Sequence, residues 1–204
     1  MKRISLLVAA VVVLGAALPA LAEKGKWEVS LQPGYSMIVG DKLERDSVKP
    51  GASLKAAGEY WFHEMFSAGL GVGYGFGHKL EGTIFGQDFT TDIRTKTLMV
   101  GPFIKAGKMI ETGSFRWMPY ALLEAGLSHT FPFSGTFTFT RNNSTVSVSE
   151  AAEDKFAFGV AVGATVPIHE SWRLGVELNF VDVVKSGKDP IQALDPCLRI
   201  GYVF

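Results

Sequence analysis

The sequence predicts an all-β fold, an eight-stranded antiparallel up-and-down transmembrane β-barrel. The first observation is that apolar side chains alternate with small or polar ones along eight segments. Most of these segments have roughly ten residues, the length that a tilted strand needs to cross a bilayer. The second is that the connections between them are alternately short and long. The third is that no apolar stretch after the N-terminal region is long enough for a membrane-spanning helix.

The alternation is clearest in residues 66–77. Phe66, Leu70 and Tyr74 share one parity with other apolar residues, whereas glycines occupy nearly every position of the other parity. Successive side chains of a strand point to opposite faces, so one face is apolar and the other is almost bare. This pattern favours a strand whose apolar face contacts lipid and whose bare face lines a narrow lumen.

Residues 1–22 are predicted to be a secretory signal peptide, and residues 23–204 the outer-membrane β-barrel domain. Lys2 and Arg3 precede an apolar run over 4–18, and Ala20 and Ala22 form a small-residue cleavage site. A transmembrane anchor is the alternative, but the apolar run is short for a bilayer.

Composition narrows the possible classes of function. The chain has 20 basic and 20 acidic residues, so it has no net positive charge that would favour binding to nucleic acid. Its single cysteine, Cys197, excludes an internal disulfide framework, and we expect this thiol to be inert.

The segments follow one another in a regular order. The predicted strands are 26–39, 52–62, 66–77, 95–106, 116–129, 155–166, 172–181 and 196–204. Pro33 predicts a bend or bulge in the first strand. Loops are expected over 40–50, 78–93 and 182–195, while 130–154 contains a hairpin pattern that should extend its flanking strands. An even number of strands places both termini on one side of the membrane, which we expect to be the periplasmic side.

Three stretches, 119–126, 158–177 and 198–204, resemble the small outer-membrane barrels of the OmpA, OmpX and OmpW type. Ser128 stands where the first of these motifs has a second glycine. The resemblance implies a cell-envelope protein in the outer membrane of a Gram-negative bacterium. It also implies that the last strand, with Tyr202 and Phe204, is the signal recognised by the barrel-assembly machinery.

Aromatic residues cluster at the strand ends that we expect to be periplasmic, as an interface girdle would. They are Trp27, Tyr60, Phe62, Trp117 and Trp172. The expected partners are therefore outer-membrane lipid, including lipopolysaccharide, together with the assembly machinery. We expect a monomer that does not bind nucleic acid.

Parity assigns charged residues of both signs to the lumen. They are Glu28, Lys55, Glu59, Lys105, Glu124, Lys155, Arg173, Glu177 and Arg199. An eight-stranded barrel is only wide enough for side chains to fill, and buried charges are tolerated when they are paired. We therefore expect a salt-bridged plug. The alternative is a gated path for ions, in which the pairs re-form as the lumen opens.

Function is predicted to be structural or surface-interacting rather than enzymatic. A small channel for ions or hydrophobic solutes is the first alternative, and a lipid A-modifying barrel enzyme the second. Ser128 and His129 are neighbours but should point to opposite faces, which makes them a poor catalytic pair. His63 and His169 fall in short turns and His78 near the outer rim. No residue set has metal-ligand spacing, so no catalytic residue, metal or cofactor is predicted.

Overall fold

The structure, a computed structural model, describes residues 25–39, 49–84, 87–140, 144–184 and 191–204. Its elements are β1 (Lys26–Ile38), β2 (Gly51–Trp61), β3 (Phe66–Ile84), β4 (Gln87–Gly107), β5 (Ile110–Thr112), β6 (Phe115–Thr130), β7 (Phe133–Phe139), β8 (Thr145–Glu150), β9 (Glu153–Pro167), β10 (Trp172–Val183) and β11 (Ile191–Val203). Among these residues no helix is long and apolar enough to cross a membrane. The predicted signal peptide, residues 1–22, lies outside the described residues.

Eight of the strands close into one antiparallel barrel, in the order β1, β2, β3, β4, β6, β9, β10 and β11. Each strand pairs with the next, and β11 returns to pair with β1. The backbone amide of Trp27 donates to the carbonyl of Phe204 at 3.1 Å, and Phe204 donates back at 3.0 Å. The predicted up-and-down transmembrane barrel is confirmed.

The two faces of each barrel strand differ as the alternation predicts. On β6, the side chain of Leu123 is 65% exposed while its neighbour Leu122 is 2% exposed. On β9, Val160 and Val162 are exposed and Ala161 between them is buried. Large apolar groups on the outside and small or polar ones inside are the arrangement of a barrel surrounded by lipid.

The barrel has two unlike ends. The terminal end carries the start of β1, the end of β11 and the short connections 62–65, 108–114 and 168–171. Strand β5 lies within the second of these connections. The opposite end, called the hairpin end below, carries the connections after β1, β3, β6 and β10.

The loop predicted over 78–93 is wrong, because β3 continues to Ile84 and β4 begins at Gln87. Polar residues in this segment hid the strand pattern, since a strand outside the bilayer needs no apolar face. Gly77 also disrupts the periodicity. It has a φ of 118°, a backbone conformation that glycine adopts readily, and the register between β3 and β4 shifts beside it. The shift turns His78 into the interior, where it is 7% exposed.

A hairpin is confirmed within 130–154, where β7 pairs with β8. Strand β7 also joins the upper part of β4, with Phe89 opposite Phe139. The rings of Phe89 and Phe137 lie 5.3 Å apart and give this region a small apolar centre. The upper parts of β3 and β4 together with β7 and β8 thus form one sheet beyond the barrel, called the tall sheet below.

Two further expectations are corrected. Strand β11 begins at Ile191 inside the segment predicted as a loop. The bulge predicted at Pro33 is wrong, because its register with Leu54 is regular and β1 keeps one register with β11 on both sides of it. Pro33 faces outward, and a missing amide at one position removes a single ladder hydrogen bond without changing the count of residues.

Candidate functional site

The lumen contains a network of charged side chains with Arg199 at its centre. Arg199 lies on β11 and is 1% exposed. Its Nη2 donates to Glu28 and to Glu59, each at 3.0 Å, and its Nη1 donates to Glu177 at 3.4 Å. One guanidinium therefore joins β11 to its neighbours β1 and β10 and to β2, the strand beyond β1. Its planar fork of donors suits several carboxylates at once.

A second cation, Lys105 on β4, completes the coordination of Glu59. Its ammonium donates to Glu59, which also accepts from the hydroxyl of Ser67 at 3.0 Å. The same ammonium lies 4.7 Å from the ring centroid of Trp61 and 5.0 Å from that of Tyr120. Two aromatic faces next to a desolvated cation stabilise its charge. The network is thus enclosed by rings as well as by ion pairs.

The remaining carboxylates of the network also have several partners. Arg173 binds Glu28 at 2.9 Å, and the hydroxyl of Tyr120 donates to Glu177 at 2.8 Å. The side-chain amide of Gln32 bridges Glu177 and Arg199. Its nitrogen donates to Glu177 at 3.1 Å, and its oxygen accepts from Arg199 at 2.7 Å. Below, the Arg199 network means Glu28, Glu59, Lys105, Arg173, Glu177 and Arg199.

The Arg199 network is electrically neutral, with three carboxylates facing three cations. Glu28, Glu59 and Lys105 are each 0% exposed. Isolated charges at such depth would be strongly unfavourable, whereas paired and hydrogen-bonded ones are tolerated. Chemically, the arrangement can block a narrow lumen. Glu59 contacts both Arg199 and Lys105, so two cations share one carboxylate.

A separate ion pair, between Lys55 and Glu124, lies closer to the hairpin end. A Cβ built on Gly73, which pairs with Lys55 on the neighbouring strand, would meet no atom within 4 Å. The open space lies at Gly73, because a Cβ built on Gly71, the next inner-face position toward the terminal end, would lie 3.0 Å from Glu124 Oε1 and 3.1 Å from Lys55 Cε.

The aromatic residues predicted as a girdle all lie at the terminal end of the barrel. Trp27 packs against Tyr60 with ring centroids 5.0 Å apart, and Trp172 packs against Tyr202 at 5.1 Å. Phe204 lies 5.9 Å from Tyr202. The remaining two, Phe62 and Trp117, lie beside the short connections at this end. Their roles as membrane anchors and as an assembly signal stay predictions.

Four uncharged residues that contact the Arg199 network were not predicted as site residues. They are Gln32, Trp61, Ser67 and Tyr120. Their inward parity was visible in the alternation of β1, β2, β3 and β6. Their contacts could not be predicted from the alternation. Each contact joins residues of different strands, and the relative height of two strands depends on the stagger of the barrel.

The histidines and the cysteine lie outside the Arg199 network. Ser128 is buried in the lumen, whereas the neighbouring His129 lies on the outer wall, where its Nδ1 is 2.6 Å from Asp154 Oδ1. His63 and His169 lie in short connections at the terminal end. Cys197 is a free thiol whose Sγ donates to the carbonyl of Asp195 at 3.4 Å. Within the described ranges no three His, Cys, Asp or Glu residues are grouped to hold a metal.

The sequence matches the family described as "Outer membrane protein beta-barrel domain" over residues 6–202. The chain belongs to this family. Membership accounts for the closed barrel and its lipid-facing outer wall, and it places the protein in the outer membrane. A search of curated protein sequences found no significant match.

Solved structures with the same fold include Neisserial surface protein A, at 12% identity and a TM-score of 0.57, covering 89% of this chain and 100% of that one. A major outer membrane protein from Thermus thermophilus has 13% identity and a TM-score of 0.55, covering 89% and 100%. Ail, the attachment invasion locus protein of Yersinia pestis, was solved in complex with the heparin analogue sucrose octasulfate. It has 16% identity and a TM-score of 0.50, covering 89% and 99%. At these identities the likeness shows the fold alone.

Proposed function

We propose that this protein is a non-enzymatic outer-membrane barrel that acts at the cell surface through its tall sheet, while its lumen stays closed. The observation that carries the proposal is the Arg199 network. Arg199 and its three carboxylates lie on the contiguous strands β10, β11, β1 and β2. Lys105 on β4 and Tyr120 on β6 extend the contacts to the facing strands, so the network spans the lumen instead of lining one wall. A closed lumen leaves the outer surface as the working part of the molecule.

The hairpin end is proposed to face the outside of the cell and the terminal end the periplasm. Transmembrane barrels have short periplasmic turns and longer extracellular loops. Here the connections at the terminal end are short, while β3, β4, β7 and β8 extend beyond the opposite rim. In this orientation Tyr202 and Phe204 end the strand at the periplasmic side, where the assembly machinery would recognise them. The protein is proposed to act as a monomer.

The tall sheet offers a means of contacting partners. In the described part of the chain, β8 pairs only with β7, so its second edge is free. Its side chains are mostly exposed, with Val146 at 50%. Unpaired strand edges are templates for strand addition by a partner. The attachment role named for Ail, a protein of the same fold, is the kind of activity that such a surface suits.

The surface role is tested by displaying the protein on cells that lack it and measuring their attachment to heparin-coated and uncoated surfaces. A variant with residues 134–149 replaced by a short turn should lose attachment. A control with substitutions in the short connection 168–171, at the other end of the barrel, should keep it. Equal attachment by both variants would contradict the proposal. Lipid A mass spectra unchanged by the protein are expected, and a new modification would favour an enzyme.

A small channel is the second candidate, and the open space beside Gly73 favours it. The lone Lys55–Glu124 pair borders that space, and Glu59 is shared between Arg199 and Lys105. Single-channel recording in planar bilayers separates the two candidates. A closed lumen predicts no discrete openings for the unmodified protein, whereas regular openings would favour the channel.

A further inference from the structure

Two oxygen atoms in the hairpin half of the lumen, the part between the Arg199 network and the hairpin end, have no hydrogen-bond partner. They are Oδ1 of Asn179 on β10 and Oδ1 of Asp195 on β11. The two residues are directly opposite one another, and both side chains face the lumen. Neighbours across two strands have Cβ atoms about 5 Å apart, so both side chains border the same space.

This pair of side chains lies directly beyond the Arg199 network. Asp195 precedes Arg199 by four residues on β11, which is about 13 Å at a rise of about 3.3 Å per residue. Asn179 follows Glu177 on the same face of β10 and is 5% exposed. Asp195 is half-buried, so water reaches the space that the two side chains border. The pair is therefore separate from the plug and lies on its hairpin side.

The unpartnered oxygen of Asn179 is aimed at a gap in the lumen wall. A Cβ built on Gly159 would lie 3.5 Å from Asn179 Oδ1 and 3.7 Å from Glu124 Oε2. Gly159 lies on β9 directly opposite Glu124 on β6, and its missing side chain leaves the space in front of the oxygen free. A buried acceptor without a partner is unfavourable, and a donor that reaches it removes that cost.

The carboxylate of Asp195 has a hydrogen-bond donor but no cation of its own. Ser36, on the neighbouring strand β1, donates to this carboxylate and carries no charge. Lys55 is near enough to act on Asp195 electrostatically, but its ammonium is bonded to Glu124. Among the described residues, the group around Lys55 therefore carries one more negative charge than positive.

The other ionisable side chains that face this part of the lumen do not change the balance. Lys155, closer to the hairpin rim, is paired with Glu153. His78 faces inward, and its Nδ1 lies 3.1 Å from the carbonyl oxygen of Lys49. A histidine adds a positive charge only when it is protonated. An unpaired carboxylate inside a barrel surrounded by lipid is unfavourable, and a cation that reaches it is stabilising.

Two acceptors without partners and one uncompensated carboxylate define the chemistry of a ligand. It must carry a positive charge and hydrogen-bond donors, and a primary ammonium group has both. A divalent metal ion fits less well, because within the described ranges no three His, Cys, Asp or Glu residues are grouped to hold one. Space is present nearby, since a Cβ built on Gly73 would meet no atom within 4 Å.

We propose that Asn179 and Asp195 form a binding site for the primary ammonium group of a small water-borne solute, on the hairpin side of the Arg199 network. The ammonium group donates to Oδ1 of both residues, and its charge neutralises the carboxylate. The site goes beyond the surface role proposed above and does not depend on it. The plug below the site stays closed while the solute is bound.

The test uses the full-length protein folded in lipid nanodiscs at about pH 8, where histidine side chains are ordinarily neutral. Methylammonium chloride is titrated into the sample. Nuclear magnetic resonance follows the side-chain amide of Asn179 and the backbone amides of β10 and β11. Tetramethylammonium chloride is the matched control ligand, because it has the same charge and no N–H donor. Sodium chloride at equal concentration controls for ionic strength.

Two variants remove the two halves of the site. Asp195→Asn removes the charge, and Asn179→Leu removes the acceptor at nearly constant volume. The second variant should fold, because the acceptor that it removes has no partner. One matched control is Asp154→Asn, which removes an exposed carboxylate from the outer wall at the hairpin end. The other is Thr165→Val, which removes a buried hydroxyl without a partner in the terminal half. Heat-dependent gel mobility verifies that each variant is folded.

Methylammonium should produce saturable shifts that are largest around residues 179 and 195. Each test variant should bind it at least about tenfold more weakly, since each loses one hydrogen bond to a charged donor. Tetramethylammonium should also bind at least about tenfold more weakly, because it cannot donate. Both control variants should bind methylammonium as the unmodified protein does.

Four results would overturn the proposal. Absence of a saturable shift would mean that water alone fills the space. Equal binding of tetramethylammonium would indicate general attraction of cations, and equal binding of sodium would indicate a metal-ion site. Undiminished binding in either test variant would place the ligand elsewhere. Each of these results would leave the proposed surface role standing, because attachment through the tall sheet is measured separately.

Discussion

The two groups of ion pairs inside the barrel are built differently. In the Arg199 network every carboxylate has at least two partners, and the space around it is filled by Trp61, Tyr120 and Gln32. The Lys55–Glu124 pair is a single contact beside the open space at Gly73. Both are neutral. The ion pairs of the terminal half therefore share partners and packing, whereas the pair nearer the hairpin end depends on one contact.

The largest expected effect comes from removing the centre of the network. Arg199→Met leaves three buried carboxylates close together without their shared cation. Breaking buried ion pairs in this way costs about 3–5 kcal/mol of unfolding free energy. Urea titration of the barrel in lipid vesicles measures the loss. Arg199→Lys is the control and should recover part of the stability, because a cation remains. A stability within about 1 kcal/mol of the unmodified protein would contradict the plug.

A smaller loss is expected for Gly69→Ala, at the packed half of the lumen. The added Cβ would lie 2.2 Å from the carbonyl oxygen of Gly58 and 2.9 Å from the Cα of Glu59, so backbone must move. Overpacking of this kind costs about 1–3 kcal/mol. The same vesicle titration gives the value. An unchanged midpoint would show that β2 and β3 separate easily beside the network.

Lys55→Met is expected to cost about 1–2 kcal/mol, because it breaks one ion pair whereas Arg199→Met breaks the ion pairs to three carboxylates. The measurement is again the unfolding free energy, combined with conductance in planar bilayers. The Glu124→Gln variant, which leaves the cation instead of the carboxylate, is its counterpart. A loss as large as that of Arg199→Met would contradict this difference.

The smallest effect is expected for Gly73→Ala, in the open half of the lumen. Its Cβ would meet no atom within 4 Å, so the unfolding free energy should change by less than about 0.5 kcal/mol. Gly69→Ala is the matched comparison, since both residues are glycines on the inner face of β3. Equal losses in the two variants would show that the halves do not differ in packing.

The alternation of side chains was sufficient to predict the eight barrel strands and their two faces. It works because lipid outside and a narrow lumen inside impose opposite demands on adjacent residues. It failed in 78–93, where the strands lie beyond the apolar outer wall and lipid no longer imposes an apolar outward face. There, hydrogen bonds between β3 and β4 and the pairing of Phe89 with Phe139 hold the strands together.

The sequence by itself determined the barrel, the parity of each strand and the presence of opposite charges in the lumen. Only the tertiary structure decided which charges meet, because Arg199 and Glu28 are 171 residues apart and become neighbours only when β11 closes on β1. It also decided that His78 faces the interior, since that depends on the register shift at Gly77. Pairing depends on stagger and register, which alternation along one strand does not encode.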